Sequence, residues 1–456
     1  MVSYICTIHL IIFKIDFNEV YMSNTAIMNN QKTTKKRFFI VLLLFISVVI
    51  NYLDRANLSI AAPEMTKALG LTTQELGWIF SSWGWAYAAM QVPCGALVDK
   101  FKPKYLLAIF LGAWSIATLL LGFASTFFVI LALRFIVGML EAPSYPINNR
   151  VVTAWIPENE RASSIAVYTS GQFIGLALLT PVLAWIMTHW GWQSVFFVTG
   201  GVGIVWAVVW YIAYDDPKDF KGISQSELEL IQKNGAETDL GDVQQKEQGD
   251  FFKDLLFVLT RKKILGICLG QFALGNATIF FLTWFPTYLV EYHGMSFVKA
   301  GFMASLPFLC GCLGVLSSGF FSDFLLRKGC SLATSRKVPI ISGLLLTSTI
   351  IGAEYFQHPA AVTIFMSIAF FATGLASITW SLVSSIAPKR LIGLTGGTFN
   401  FIGGLAAIIT PVVIGYLAGD SGSFMAPLLY ISSVSILGAM SYIFLVGKVE
   451  RVEDYK

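Results

Sequence analysis

Residues 41–60 read VLLLFISVVINYLDRANLSI. Ten residues, apolar but for Ser47, run straight into a segment that sets Asp54 beside Arg55. A helix needs about 20 mostly apolar residues to cross a bilayer, so 38–60 reads as a membrane span carrying two formal charges. A charge at the bilayer centre costs roughly 2.5–3.5 kcal/mol on insertion scales, and such groups face a partner or a wet cavity. Successive helical residues lie about 100° apart around the axis and do not face each other. Asp54 and Arg55 therefore do not neutralise one another, and two environments must be served. Two plainer arrangements stay open: a pair close to the membrane interface, or structural pairing with another helix. Tyr52, Arg55 and Ser59 fall on one side of the helix, which suits the wall of a polar cavity.

The same character recurs along the chain. Of 456 residues 55% are hydrophobic and 13% charged, against about 25% charged in soluble domains. Apolar segments fall at 38–60, 76–98, 104–125, 127–149, 163–188 and 193–213, then at 264–290, 298–322, 338–356, 359–386, 392–418 and 424–447. The alternating segments of a membrane β-barrel are missing. The expectation is an all-α membrane protein of twelve transmembrane helices. An N-terminal segment (1–37) precedes a first bundle (38–213), a polar linker (214–262), a second bundle (263–447) and a tail (448–456). The linker is too hydrophilic to insert and holds a short amphipathic helix around SQSELELIQ (224–232). Residues 1–21 carry an apolar patch broken by Lys14 and Asp16 with no cleavage-site pattern. They read as an upstream extension or a start-site artefact rather than a signal peptide, ahead of a polar lead from Met22.

Basic residues set the orientation. With Lys32, Lys35, Lys36 and Arg37 cytoplasmic, the cytoplasmic connections hold Lys100, Lys102, Lys104, Arg150, Arg161, Arg327, Lys328, Arg336, Lys337, Lys389 and Arg390, and the outer loops only Lys67 and Lys299. That asymmetry places both termini and the linker in the cytoplasm. The halves also echo each other: GALVDKFKPK follows span 2, with Gly95 four before Asp99, and GFFSDFLLRK follows span 8, with Gly319 four before Asp323. Two ordinary charged loops would look similar, but recurrence at equivalent positions points to an internal duplication. Two six-span repeats about an axis along the membrane normal form a transporter architecture with its site between the halves.

Enzyme chemistry finds little purchase. No GxSxG, HExxH or P-loop pattern occurs. The four histidines are scattered, and the six cysteines form no CxxC pair; free thiols are expected. Cys310-Gly-Cys312 reads as small residues packing in a helix before it reads as a metal hook. No cofactor and no metal are expected. A membrane-bound enzyme and a transporter-derived sensor are the rival classes, and the linker is small for an output domain.

Four strong ionisable groups lie within the spans: Asp54, Arg55, Arg134 and Glu141. Arg134 and Glu141, seven apart in LRFIVGMLEAPSYP, share a helix face about 10.5 Å apart; a structural ion pair is the plainer reading. Pro143 and Pro146 can kink the span just beyond. The second half carries amide, hydroxyl and aromatic groups instead: Gln271 and Asn276 in span 7, Ser377, Thr379, Trp380, Ser384 and Ser385 in span 10, and Asn400 between glycine pairs in span 11. Tyr87 and Gln172 are comparable in the first half. A single Ser or Thr more often bonds its own helix backbone, but the set opposite an arginine suits a ligand with one anionic group and several hydroxyls. Arginine binds carboxylate through paired, charge-assisted hydrogen bonds, and carboxylates removed from water are natural proton carriers. Proton-coupled uptake of an organic anion follows, with Arg55 holding the anion, Asp54 and Glu141 carrying protons, and Arg134 biasing Glu141.

The stretches NYLDRANLSIA, GALVDKFKPK, LRFIVGMLEAPSYPINNR, PENERASS and FFLTWFPTYL resemble the major facilitator superfamily and, within it, the anion:cation symporter group. YTSGQFIGLALLTP and ASITWSLVSSIAPKRLIGLTGGTFNFIGG are similar to the bacterial D-galactonate:proton symporters, with glucarate, galactarate and hexuronate permeases as relatives. The resemblance implies two pseudo-symmetric six-helix bundles and alternating access in a bacterial inner membrane. It implies protonation at Asp54 and Glu141, with Arg134 coupled to Glu141. Arg55, Tyr52, Tyr87, Gln172, Gln271, Ser377, Thr379, Trp380 and Asn400 would surround the sugar acid, and Gly95, Asp99, Gly319 and Asp323 would form gating-loop motifs. The partners implied are a sugar-acid anion, protons and the bilayer, with no nucleic acid and a monomeric unit. Two departures stand out: the first loop ends FKPK where the superfamily has a Gly- and Arg-rich run, and GQFIGLALLTPVL lacks the Gly-Pro signature of drug antiporters, which favours symport. No third arginine in the spans would receive a second carboxylate, which favours a monoacid over an aldarate.

Overall fold

The computed structural model describes residues 33–236, 238, 251–356, 358–388, 391–418 and 423–454. Residues 1–32 with the upstream extension, the linker centre 239–250, and Lys389 and Arg390 lie outside the described residues. So do the side chains of Asp99, Asp323 and Ser384 and the surroundings of Gly95.

The first half comprises α1 (Lys36–Leu69), α2 (Thr73–Lys100), α3 (Pro103–Leu121), α4 (Phe127–Glu141), α5 (Ser144–Trp155), α6 (Glu158–Trp190) and α7 (Trp192–Ala213). The linker holds α8 (Gln225–Lys233) and α9 (Phe251–Thr260). The second half comprises α10 (Lys262–Thr283), α11 (Phe297–Arg327), α12 (Leu332–Thr347), α13 (Pro359–Ala376), α14 (Trp380–Ile386), α15 (Ile392–Gly404), α16 (Ala406–Ala418) and α17 (Met425–Phe444). The described residues contain no strand. Eleven helical stretches among them are long and apolar enough to span a membrane. The twelfth, α2, has 28 residues, ample for a crossing at 1.5 Å per residue. Its tryptophans, serines and glycines dilute its hydropathy, because one of its faces packs on the other half and not on lipid.

The first span is longer than the sequence pattern suggests. α1 continues through Pro63 to Leu69 and closes on Gly70 at φ 64°, the left-handed cap conformation that glycine adopts without strain. Asp54 and Arg55 consequently lie near the middle of α1, not towards its end. Other spans break where polar groups gather. Span 4 is interrupted between α4 and α5, straight after Glu141, and span 10 by a 3-10 turn over Ser377–Thr379. Such breaks survive at membrane depth where they line a cavity or are buried in protein.

The expected linker helix is present as α8, with Ser224 as its N-cap. It clasps the start of α1. Fully buried Glu227 accepts from Thr34 Oγ1 at 2.6 Å, Lys36 N at 3.0 Å and Arg37 N at 3.2 Å, and Arg37 Nε reaches Glu160 of α6 at 2.9 Å. A carboxylate at a helix N-terminus satisfies orphan N–H groups and complements the helix dipole.

The apolar clusters reveal how the halves meet. One, around Leu44, Trp114, Val151 and Trp210, draws only on the first half; another, around Ile264, Leu344, Leu382 and Tyr442, only on the second. Both lie towards the end that carries the linker and the C-terminal tail. The third mixes the halves, joining Ile60, Phe80 and Leu183 to Phe280, Trp284 and Ala300 at the opposite end. Small residues permit this closure. A Cβ on Gly77 would come within 2.7 Å of Pro411 O, one on Gly84 within 2.7 Å of Ala407 O, and one on Gly301 within 2.5 Å of Ala184 Cβ. Ser81 Oγ donates to Ile408 O across the same seam at 2.7 Å. Among the described residues the two halves are thus sealed at the end remote from the linker, and the apolar clusters towards the linker end do not join them.

Candidate transport site

The four charges of the spans converge in the first half, in an arrangement that departs from the expected one. Glu141 closes α4 with its side chain fully buried, and its ion-pair partner is Arg55: Arg55 Nε donates to Glu141 Oε2 at 3.2 Å. Arg134 instead donates through Nη1 to the main-chain carbonyl of Asp54 at 3.3 Å and makes no ion pair within 4.0 Å of Glu141. Two helical turns separate Arg134 from Glu141, while the middle of α1 passes directly beside the end of α4. Proximity between helices outweighs shared helix face.

Arg55 sits in an aromatic cage. Its guanidinium carbon lies 4.4 Å from the Trp83 ring centroid, 4.8 Å from Tyr52 and 5.3 Å from Tyr87. Trp83 and Tyr87 stack with centroids 4.6 Å apart, and Tyr145 borders the same group. Flat aromatic faces attract a cation without neutralising it, so the charge of Arg55 stays available. Its Nη2 is buried and has no hydrogen-bond partner, a costly state for a donor in low dielectric and an invitation to an anion.

Asp54, one residue away, faces elsewhere, as the 100° step of a helix requires. Trp114 Nε1 of α3 donates to Asp54 Oδ2 at 2.9 Å. Asn57 Nδ2 lies 3.5 Å from Asp54 Oδ1 and donates to Thr199 Oγ1 of α7 at 3.0 Å. The two neighbours therefore serve different clients: Arg55 the aromatic cage and Glu141, Asp54 a polar node among α1, α3 and α7. Ser59 spends its hydroxyl on Ala56 O within its own helix at 2.9 Å.

Among the described residues, no hydrogen bond joins the second half to Asp54, Arg55, Arg134 or Glu141. Gln271 on α10 is half-buried, its Oε1 has no partner, and its chain lies against Gly403 of α15, where a Cβ would fall 2.5 Å from Gln271 Cγ. Ser377 is half-buried at the span-10 turn. Thr379 is fully buried and hydrogen-bonded to Tyr442, and Asn276 donates to Tyr430 OH at 2.8 Å. Trp380 is 49% exposed, with its ring on Phe399 at 4.8 Å; Asn400 is exposed on α15 and Gln172 half-buried on α6. Gly319, expected in a gating motif, has no neighbour within 4 Å of where its Cβ would stand.

Residues 44–411 match the Major Facilitator Superfamily. The chain belongs to that superfamily. Among curated relatives, the D-galactonate transporter of Escherichia coli O6:H1 is 50% identical over 414 residues, spanning 90% of this chain and 95% of the relative. The "Probable galactarate/D-glucarate transporter GarP" of Escherichia coli K12 is 41% identical over 91% of this chain and 95% of its own. Among solved structures, a bacterial homolog of the human lysosomal transporter Spinster aligns with TM-score 0.70 at 18% identity, covering 91% of this chain and 97% of that one. A D-xylose-proton symporter aligns with TM-score 0.68 at 15% identity, covering 90% and 98%. The fold of this superfamily member, twelve helices in two six-helix bundles, is the one its apolar spans and repeated loops predict, and it is a multi-pass membrane transporter, not an enzyme.

Sequence reasoning on this superfamily member passed over Trp83, Trp114, Asn57, Thr199 and Tyr145. Trp83 is four residues before Tyr87 and Asn57 three after Asp54, spacings that share a helix face and so carried a signal. Trp114 and Thr199 carried none: a tryptophan or threonine in an apolar span reads as a lipid-facing or self-bonded side chain until its neighbour is known.

Proposed function

We propose that the protein is a proton-coupled symporter of a sugar-acid anion, D-galactonate, working by alternating access between its two six-helix units, 38–213 and 263–447. The observation that carries this reading is the state of Arg55: near the middle of α1, caged by aromatic rings, paired to Glu141 through Nε and with Nη2 unpartnered. A ligand carboxylate and Glu141 compete for one guanidinium. Protonation of Glu141 removes its charge and frees Arg55 to take the ligand through a bidentate pair. Departure of the ligand returns Arg55 to Glu141, whose proton leaves, since an unpaired buried charge is strongly unfavourable. With Asp54 and Glu141 balanced by Arg55 and Arg134, a bound monoanion and one proton leave the charge of the cluster unchanged.

Asp54 is the second proton site, with Arg134 close enough to couple to both carboxylates. Tyr52, Tyr87 and Gln172 of the first unit and Gln271, Ser377, Trp380 and Asn400 of the second would close on the hydroxyls of the ligand, and Thr379 would exchange Tyr442 for it. The 50% identity to a D-galactonate transporter supports an aldonate. The unit is a monomer in a bacterial inner membrane, with both termini and the linker cytoplasmic, the gating loops after spans 2 and 8 on that side, and the described state open to the cytoplasm.

The test uses the full chain in proteoliposomes. Glu141→Gln is expected to abolish accumulation driven by a proton gradient while retaining D-galactonate exchange; equal loss of both would refute the role given to Glu141. In competition, D-galactonate should displace label better than D-gluconate, D-glucarate, D-galacturonate or D-glucuronate. Glucarate competing where galactonate fails would reassign the substrate to an aldarate.

A further inference from the structure

Each of the two carboxylates within the membrane receives an indole N–H on one oxygen. Trp83 Nε1 of α2 reaches Glu141 Oε2 at 3.0 Å, and Trp114 Nε1 of α3 reaches Asp54 Oδ2 at 2.9 Å. Both indoles are buried. Glu141 Oε2 also takes Arg55 Nε at 3.2 Å, whereas Glu141 Oε1 is buried and has no partner. Asp54 Oδ1 takes a long contact from Asn57 Nδ2, at 3.5 Å, and the Thr199 hydroxyl lies within hydrogen-bonding reach of the same carboxylate. The packing around Trp83 is built to bring its indole in. A Cβ on Gly138 would fall 2.3 Å from Trp83 O, so α2 and α4 touch backbone to backbone one turn before Glu141.

An indole N–H only donates, and it neither yields its proton nor accepts one in the working pH range. Bonded to a carboxyl oxygen, it occupies a lone pair in either protonation state. A hydroxyl, an amide or a water in its place could turn round and accept.

We propose that Trp83 and Trp114 are positioning residues for proton carriage, each tethering one oxygen of a membrane-embedded carboxylate so that the exchangeable proton is carried on the other, Oε1 of Glu141 and Oδ1 of Asp54. The proposal rests on the proton-coupled reading of these carboxylates. A proton from water adds to a lone pair of Oε1 and gives the neutral acid. Oε2 becomes the carbonyl oxygen and keeps its indole bond, while its hold on Arg55 Nε weakens because the negative charge has gone. The reverse step returns the proton to water from the same oxygen. Arg55 thus changes partner while the carboxyl group stays in place.

The experiment measures D-galactonate uptake against pH for the full chain in proteoliposomes carrying Trp83→Phe or Trp114→Phe, which delete the N–H and keep a ring. Trp206→Phe is the control, since that indole donates to Ser47 Oγ, away from both carboxylates. A hydrogen bond to the charged form favours it, so its loss should move the pH midpoint of uptake upwards by about one unit, a tenfold change in proton affinity. In a Glu141→Gln background, where exchange is the activity retained, Trp83→Phe should leave the pH profile of D-galactonate exchange unmoved, and the Trp206→Phe control should not move in either mode. Infrared titration of the detergent-solubilised protein gives a reading independent of transport. The protonated-carboxyl stretch should shift in Trp83→Phe and stay in Trp206→Phe. Should the Phe variant fail to fold, benzothienylalanine at position 83 keeps the ring shape and removes only the N–H. A midpoint and a carboxyl band that both stay put while uptake falls would overturn the proposal, leaving the indoles as packing. Proton-driven accumulation surviving in Glu141→Gln is a different outcome, which overturns the coupling reading itself.

Discussion

Gly84 offers the most direct test of how the two halves exchange access. A Cβ added there would stand 2.7 Å from Ala407 O and 3.1 Å from Ala407 Cβ. The first contact is to backbone, so relief requires α2 and α16 to move apart rather than a side chain to rotate. Overpacking of this kind costs about 1–3 kcal/mol. If the seam exists only while the end remote from the linker is closed, Gly84→Ala carries that cost in one state alone. The equilibrium between states then shifts by roughly 5- to 150-fold away from the form described here. Spin labels at Gln225 and Lys262, both exposed and at the linker end, report the shift through their distance distribution in a cysteine-depleted background. The longer-distance population should shrink in Gly84→Ala. Gly138→Ala is the contrast: its clash, 2.3 Å to Trp83 O, lies within the first half and persists in both states. It should lower thermal stability and leave the distribution alone. An unchanged distribution in a folded Gly84→Ala protein would refute the claim that this contact distinguishes the states.

Glu227→Ala should lower stability by about 1–3 kcal/mol, the cost of leaving buried donors unsatisfied, because Thr34 and two N–H groups at the start of α1 lose their acceptor while Arg37 keeps Glu160. A melting temperature within a degree of the parent's would show that the clasp contributes nothing. Arg55→Lys keeps the charge but loses the planar fork, so D-galactonate affinity should fall roughly 10- to 150-fold, matching about 1.5–3 kcal/mol for one charge-assisted hydrogen bond. Binding of the sugar acid by that variant at parental strength would remove Arg55 from the anion site.

The twelve spans, the duplicated loops and the four buried charges were legible in residue order, since membrane insertion depends on local hydropathy and on the number of charges in each segment. The divergence of Asp54 and Arg55 was legible too, because helical rotation is set by the backbone alone. Their depth was not: the apolar run weakens before Pro63, Glu64 and Lys67, yet α1 continues to Leu69, its last turns held by packing of Ile60 and Met65 in the shared core. Which arginine meets Glu141 was likewise decided elsewhere. Position on α4 nominated Arg134, whereas the approach of α1 supplied Arg55. The indole of Trp83 became a donor to Glu141 because Gly138 lets α2 and α4 close to backbone contact, and Tyr442, whose ring lies over Gly270, is what meets Thr379. Pairing between helices depends on distances across space, and in a bundle those are set by the packing of all the helices together.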